Sequence, residues 1–562
     1  MTWNEQNKAH SICDVLEGTV EEWYDQVDGL LKASDFIPGN YEYAINVAYS
    51  NSGSFDEGGQ THVDIGCDRF KIISLDNSYI SLEMEIPITI PAHVVPANST
   101  TQRFKKFYIG FKSAFDAIDQ YRIYSNTDLI QTQNHANYEG YLQYMALSDV
   151  AKENSELYAT WNKVQTLNED VPGVYVDLAA IANANAAREI IIPLKLRIPL
   201  NQFLMFANLK WFPGFFGKLV LEIYPSYKNL VVCPIYVEQI IPENADVAEN
   251  YLKLSNITAA VGANLATSTV GSNIVGFRQI NTPIAIGFNQ VTANNNFVSL
   301  NMGTFSCTTS RTKKCHLRLA ETVVRMDVYN QVLSRFINQP MLFPIQTIIS
   351  KDFSGKMPND ANDKQINMTM TNALNHCNSM FVVFKKSNND RTCFENPMIK
   401  WQVNIDGKYF PREQYQTYSD HKNMNLFLDA TNFNGNGLFS VPNDIYHSLQ
   451  PFLTSYKYAA NGARTETLTF VPKDRSNFAI GIPFCEDDTF QAGIHSGGTV
   501  QVELLGSRTD IFTTMYGDTN PSALYVEDCI LKLRAVKPSG EAQIAYTHAT
   551  PEQLLSTAVV AN

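Results

Sequence analysis

Ile80, Leu82, Met84, Ile86, Ile88 and Ile90 alternate with Ser81, Glu83, Glu85, Pro87 and Thr89. An apolar side chain at every second position over eleven residues predicts a long strand with one buried face. Pro87 falls on the outer face and cannot donate to a ladder, which predicts an edge or irregular position. The same period recurs in Leu194, Leu196, Ile198 and Leu200, and again in Leu219, Leu221 and Ile223. Arg318–Tyr329 reads as extended, and residues 254–305 as short strands joined by polar loops.

A second run of alternation starts near residue 341. It takes in Ile366, Met368 and Met370, then Ile399, Trp401, Val403 and Ile405, then Val500, Val502 and Leu504. The strand that ends at Ile405 meets Asp406-Gly407, a pair that accepts the positive φ angles of a tight hairpin. A last strand is expected near Tyr525–Val536.

Helical spacing is rarer. Val20, Trp23, Val27, Leu30 and Leu31 recur at three and four residues, with Glu21, Glu22, Asp25 and Asp28 between them. This predicts a short amphipathic helix whose stripe must be buried somewhere. Two readings stay open: packing on its own domain, or an arm that reaches a neighbouring subunit. Other helices are expected at Tyr138–Leu147, Gln331–Ile337 and Asp444–Tyr456, while Ala179–Ala187 reads as helix or loop. The result is two β-rich blocks, 60–338 and 339–537, between an N-terminal arm (1–59) and a polar tail (538–562). Many short strands with long loops predict all-β sandwiches or jelly rolls.

Composition narrows the function classes. A chain of 562 residues with 44% hydrophobic residues can bury large cores. Its net charge of -13 argues against a surface that wraps nucleic acid throughout, though not against a local basic patch. Met1–Asp14 has neither a basic nor an apolar region, so no secretory signal is expected, and no window is apolar enough for a membrane span. The nine Cys stand singly, with no CxxC pair, which favours free thiols in a reducing compartment.

Candidate chemistry is thin. Cys315 and His316 are adjacent and would face opposite sides of a strand, and His376 and Cys377 share that defect; no HExxH occurs. Gly214–Lys218 is too short for a phosphate loop and lacks the following Ser or Thr. His495 and Ser496 lie in a Gly-rich turn without the spacing of a nucleophile elbow. Glu83 and Glu85 share one strand face, where a solvated or interface role is expected over a catalytic carboxylate pair. No metal and no cofactor is expected.

Several segments taken together carry a resemblance. They are IPLNQFLMFANLKWFPGFFGKLVLEIYPSYKNLVV at 198–232, PIQ at 344–346, NIDGKYFPREQYQT at 404–417, NLFLDA at 425–430, NFAIGIPF at 477–484 and FQAGIHSGGTVQVEL at 490–504. In order and spacing these resemble the double jelly-roll major capsid proteins of Polinton (Maverick) elements, adintoviruses and virophage-like viruses. The resemblance is best in 190–235 and 340–505. It implies two tandem jelly rolls with helical insertions and a non-enzymatic, structural role. It implies a homotrimer with a pseudo-hexagonal footprint that tiles an icosahedral shell beside neighbouring capsomers, penton proteins and minor capsid proteins. It further implies location in the virion, assembly inside the host cell without secretion, and no sequence-specific nucleic acid. Trp211, Phe212, Phe215 and Phe216 are then candidates for the trimer interface or the core. Val20, Trp23, Val27, Leu30 and Leu31 are candidates for an inner-face arm. Three rival readings are a sugar- or protein-binding β-sandwich, a glycoside hydrolase on a β scaffold, and a capsid scaffold protein that forms transient lattices.

Overall fold

The sixteen strands that define the architecture fall into two sets of eight with the same plan. The first set is β1 (Tyr41–Tyr49), β2 (Thr61–Ile65), β3 (Lys71–Ile90), β4 (Ile118–Ser125), β5 (Asp128–Asn134), β6 (Trp211–Pro213), β7 (Leu219–Pro225) and β8 (Arg311–Val324). The second is β9 (Met341–Asp352), β10 (Gln365–Ala373), β11 (Cys377–Lys385), β12 (Ile399–Ile405), β13 (Lys408–Gln416), β14 (Ala479–Pro483), β15 (Thr499–Arg508) and β16 (Asn520–Ala535). This computed structural model describes residues 41–547 apart from 50–54, 67–70, 92–103, 126–127, 148, 161–162, 165–169, 178–186, 208, 210, 237–276, 290–296, 325, 327–329, 331–332, 335–340, 356–364, 375–376, 386–389, 395–396, 398, 418–425, 428–429, 431–448, 459–463, 473–476, 485–498, 509–519 and 536–541.

In the first set the sheets run β1-β8-β3-β6 and β2-β7-β4-β5. In the second they run β9-β16-β11-β14 and β10-β15-β12-β13. Adding eight to each strand of the first pair of sheets gives the second pair. Two facing four-stranded antiparallel sheets with this strand order form a jelly roll. The chain is a double jelly roll.

The alternation read from the sequence is what closes each roll. β3 buries Ile80, Leu82, Met84, Ile86, Ile88 and Ile90 and turns Ser81, Glu83, Glu85, Pro87 and Thr89 outward. Trp401 on β12 is fully buried beside Val403 and Ile405, and Met380–Phe384 on β11 is buried throughout. Each large apolar side chain removed from water contributes roughly 1.5–3 kcal/mol before entropy is counted. One contiguous set of buried apolar side chains extends from Ile80 in the first roll to Trp401 in the second.

Pro87 shows how register decides where a proline fits. The amide N–H of Thr89 donates to the Ser306 carbonyl at 2.8 Å. Residues two apart on a strand point their N–H groups the same way, so the Pro87 nitrogen faces that side as well. There β8 has already stopped, because its pairing with β3 runs only as far as Glu85. The missing donor costs no ladder bond.

The first roll carries most of the additions. A strand at Arg188–Pro199 pairs with β3 from Tyr79 to Ile90. A third sheet joins Arg278–Gln279, Val231–Tyr236, Phe104–Gly110 and Gly173–Asp177. Helix α1 (Ala136–Ala146) sits between β5 and β6. Hairpins occur at Pro283–Asn289/Phe297–Thr304 and at Leu449–Tyr458/Arg464–Pro472.

Three expectations change. Tyr41–Tyr49 lies in the stretch read as arm, yet it forms edge strand β1 and pairs with β8 from Tyr41↔Val324 to Tyr49↔His316. Leu449–Tyr458 lies largely in the stretch read as helix, yet it is a strand. Pro451 lacks the N–H that a helix interior needs, and the adjacent Arg464–Pro472 supplies a hairpin partner. Ala542–Thr547 lies in the stretch read as tail, yet it pairs with β16 from Ile530 to Ala535. The expected N-terminal helix, with Val20, Trp23, Val27, Leu30 and Leu31, lies outside the described residues, as do His495 and Ser496.

Candidate functional site

The two rolls meet along a seam built from β5, α1 and the loop at 390–394. β9 is an edge strand, so its outer row of backbone groups needs partners. Side-chain amides on β5 supply them. Gln133 Nε2 donates to the Ile348 carbonyl at 2.8 Å, and the Ile348 N–H donates to Gln133 Oε1 at 3.3 Å. Gln131 Nε2 donates to the Gln346 carbonyl at 3.1 Å. Alternation along β5 places Gln131 and Gln133 on one face, and both are buried. Two glutamines thus stand in for a neighbouring strand.

Helix α1 is wedged into the same seam. Tyr138 stacks on Phe394 of the second roll with centroids 6.2 Å apart, and Tyr141 meets that ring edge-on at 4.6 Å. Asn137 Nδ2 donates to the Arg391 carbonyl at 2.6 Å. The helix is buried on nearly all sides: the second roll meets Asn137, Tyr138 and Tyr141, while Glu139 and Gln143 bond to Tyr121 and Gln202 in the first roll.

Charged side chains complete the seam. Arg391 Nη1 donates to Asp119 Oδ1 at 2.8 Å, and Lys228 Nζ lies 3.2 Å from Asp119 Oδ2. Burial pushes the Asp119 carboxyl up, but His135, Lys228 and Arg391 outweigh it and hold the group down at about 2. Lys112 Nζ donates to the Thr392 carbonyl at 3.1 Å and to Asn477 Oδ1. Asp116 sits behind it, where its carboxylate accepts from the Ser113 N–H at 3.0 Å. Burial raises the Asp116 carboxyl to about 7, against the lowering effects of that N–H and of Lys112. Burial also pushes the Glu139 carboxyl well above its usual range, although the Tyr121 hydroxyl donates to it at 2.8 Å. A buried hydrogen bond contributes roughly 1 kcal/mol net, and breaking one costs more because its partner stays desolvated. The seam therefore holds the two rolls as one body.

The aromatic candidates lie at this seam too. Phe212, Phe215 and Phe216 are buried within the chain, and Trp211 is half-buried against the same core. Phe215 and Phe216 have ring centroids 4.6 Å apart in the turn Gly214–Phe216. That turn lies against β16 and the strand Ala542–Thr547, both beyond the first roll. Its exit needs Gly217, whose φ is +89°.

The remaining candidates have ordinary partners. Lys314 Nζ lies 3.9 Å from Glu83, and Lys313 Nζ 3.0 Å from Glu85. Cys315 points inward and His316 outward on β8. Cys233, Cys307, Cys315, Cys377 and Cys393 are free and buried. Burial pushes the thiols of Cys307, Cys315 and Cys393 up to about 12. Among the described residues no three His, Cys, Asp or Glu side chains converge to hold a metal ion, and no helix is long and apolar enough to cross a membrane.

Of the seam residues, sequence reasoning singled out the four aromatics as site candidates. Gln131, Gln133, Asp119 and Arg391 carry no local signal, because each acquires its role from a partner at least 215 residues away.

No family model matches the sequence, and no curated protein matches it. Solved structures with a similar fold include three from viruses. The mavirus major capsid protein is 9% identical, with 91% of this chain and 92% of that one covered at a TM-score of 0.48. The Sputnik virophage structure gives 10% identity, 92% and 90% coverage and a TM-score of 0.45. The Faustovirus major capsid protein gives 8% identity, 87% and 90% coverage and a TM-score of 0.38.

Proposed function

We propose that the chain is a major capsid protein of the Polinton-type, virophage-like group. In this reading three copies form a capsomer that tiles an icosahedral shell. The observation that carries it is the repeated jelly-roll strand order, locked across a buried seam. Each chain offers two similar, rigid, upright blocks, so three chains supply six blocks for a pseudo-hexagonal footprint. A closed ring of identical contacts is the ordinary symmetry of a trimer.

Other features support the same reading. Free, buried thiols suit assembly in a reducing cell and a later life in the particle. The charge of -13 suits a solvated shell surface. Trp211 is the member of its aromatic group that keeps surface for a neighbouring chain. The N-terminal arm around Trp23 is assigned to contacts with neighbouring capsomers or minor capsid proteins on the inner face. Partner penton proteins close the shell.

The test is direct. The purified chain is expected to run at three times its 63.1 kDa mass and to show triangular or hexagonal particles by negative-stain microscopy. A stable monomer would overturn the reading.

A further inference from the structure

The outer face of the first roll carries a cationic cluster that the seam does not use. On β3, Tyr79 points outward and is half-buried. The Arg197 guanidinium lies over its ring at 4.1 Å, and that of Arg318 lies at 5.5 Å. Arg318 Nη1 also donates to the Tyr79 hydroxyl at 2.5 Å. Lys195 stands two residues before Arg197 on the same exposed face of its strand. Lys195 stands opposite Glu83 across the strand pair, and Glu83 and Glu85 also lie near Lys314 and Lys313, whereas among the described residues Arg197 and Arg318 make no ion pair with a carboxylate. Two guanidiniums held on one phenol ring repel each other, so the cluster favours an anionic partner.

An anion source is tethered beside it. Residues 14–28 contain Asp14, Glu17, Glu21, Glu22, Asp25 and Asp28 and no Lys or Arg. The 13 residue steps from Asp28 to Tyr41 span at most about 45 Å. Tyr41 opens β1 opposite Val324 on β8, six residues from Arg318, a distance of about 20 Å along the strand. The acidic stretch can therefore reach the cluster in its own chain, at the high effective concentration that a short tether provides.

We infer that the acidic segment 14–28 docks on the face formed by Lys195, Arg197, Arg318 and Tyr79 of the same chain. On the helical pattern expected for this segment, the carboxylates fall opposite the stripe of Val20, Trp23, Val27, Leu30 and Leu31. Docking by the acidic side presents the apolar stripe outward, ready for a neighbour. The inference deepens the arm's role in the capsid reading and rests on it only for what the stripe then meets.

Zero-length carbodiimide coupling of the full chain, read by peptide mass spectrometry, tests it. Lys195 is expected to couple to carboxylates of 14–28, with yield falling about fivefold or more when salt is raised to about 0.5 M. Arg197→Glu with Arg318→Glu should abolish the coupling. Adding Glu21→Lys and Glu22→Lys should then restore docking, seen as new couplings from positions 21 and 22 to the carboxylates introduced at positions 197 and 318. Because the sheet variant risks misfolding, Glu21→Gln/Glu22→Gln/Asp25→Asn, which leaves the sheet untouched, should reduce coupling of the remaining carboxylates to Lys195. Coupling spread evenly over surface lysines would overturn the inference. So would hybrid products from a mixture of isotope-labelled and unlabelled chains, which would place the segment on another copy. Shell formation, scored separately by microscopy, keeps failure of docking distinct from failure of the capsid reading.

Discussion

Arg391 in the second roll reaches Asp119 in the first, with Nη1 2.8 Å from Oδ1. Both side chains are mostly buried, at 23% and 20% exposure, so solvent screens the pair weakly. Arg391→Met removes the charge and leaves most of the stem. The expected loss is about 1–3 kcal/mol at neutral pH, read as a lower urea midpoint with unchanged slope. Asp119 titrates at about 2 in the folded chain, below its unfolded value. Its stabilisation is present above the unfolded value near 4 and lost as pH falls towards 2. In the variant this acid-dependent loss should be smaller, because without Arg391 the folded value of Asp119 moves up towards its unfolded one.

Asp116 has the opposite sign. Its folded value of about 7 lies above the unfolded one. The buried neutral acid is therefore tolerated fully below about pH 4, and stability declines as pH rises through 7. Asp116→Asn should flatten this decline while keeping an acceptor for the Ser113 N–H. Thermal unfolding between pH 4 and 8 checks it, with the variant gaining a few kcal/mol on the native chain at the upper end. Parallel curves for the two chains would contradict the buried acid's role.

Phe216 and Trp211 are neighbours with different surroundings. Phe216→Ala empties a site in the continuous core and should cost about 3–5 kcal/mol. Trp211→Ala removes a half-buried ring, so its effect on unfolding should be smaller. If Trp211 meets a neighbouring chain, its loss raises the fraction of monomer at low protein concentration. Mass photometry beside denaturant titration separates the two effects.

Removal of residues 1–39 leaves β1 whole, since that strand begins at Tyr41. The shortened chain is expected to trimerise and to form shells about tenfold less well, because the arm's added contacts are gone. Shells in normal yield would remove the arm from assembly.

Much of the fold was legible because strand alternation is local. Ile80–Ile90, Ile366–Met370, Ile399–Ile405 and Val500–Leu504 each declare a buried face within a few residues. Asp406 and Gly407 adopt φ of 47° and 87°, as their hairpin requires. Helix α1 shows in the spacing of Tyr138, Tyr141, Leu142 and Met145. β1 was legible in principle, since Tyr41, Tyr43, Ile45, Val47 and Tyr49 alternate, but its short run stands far from its partner in sequence. Leu449–Tyr458 lies largely in a stretch read as helix, because its spacing carries no clear two-residue period, and only its pairing with Arg464–Pro472 decides for strand.

The sequence by itself determined which residues turn inward on the long alternating strands and that two β blocks follow one another. Both follow from the two-residue period of extended backbone and from local turn chemistry. Only the tertiary structure decided that β1 lies beside β8, that Gln133 completes the edge of β9, and that Asp119 faces Arg391, 272 residues away. Such pairs carry no periodic mark. A glutamine or an arginine reads as surface until another part of the chain closes over it and excludes the water that would otherwise satisfy it.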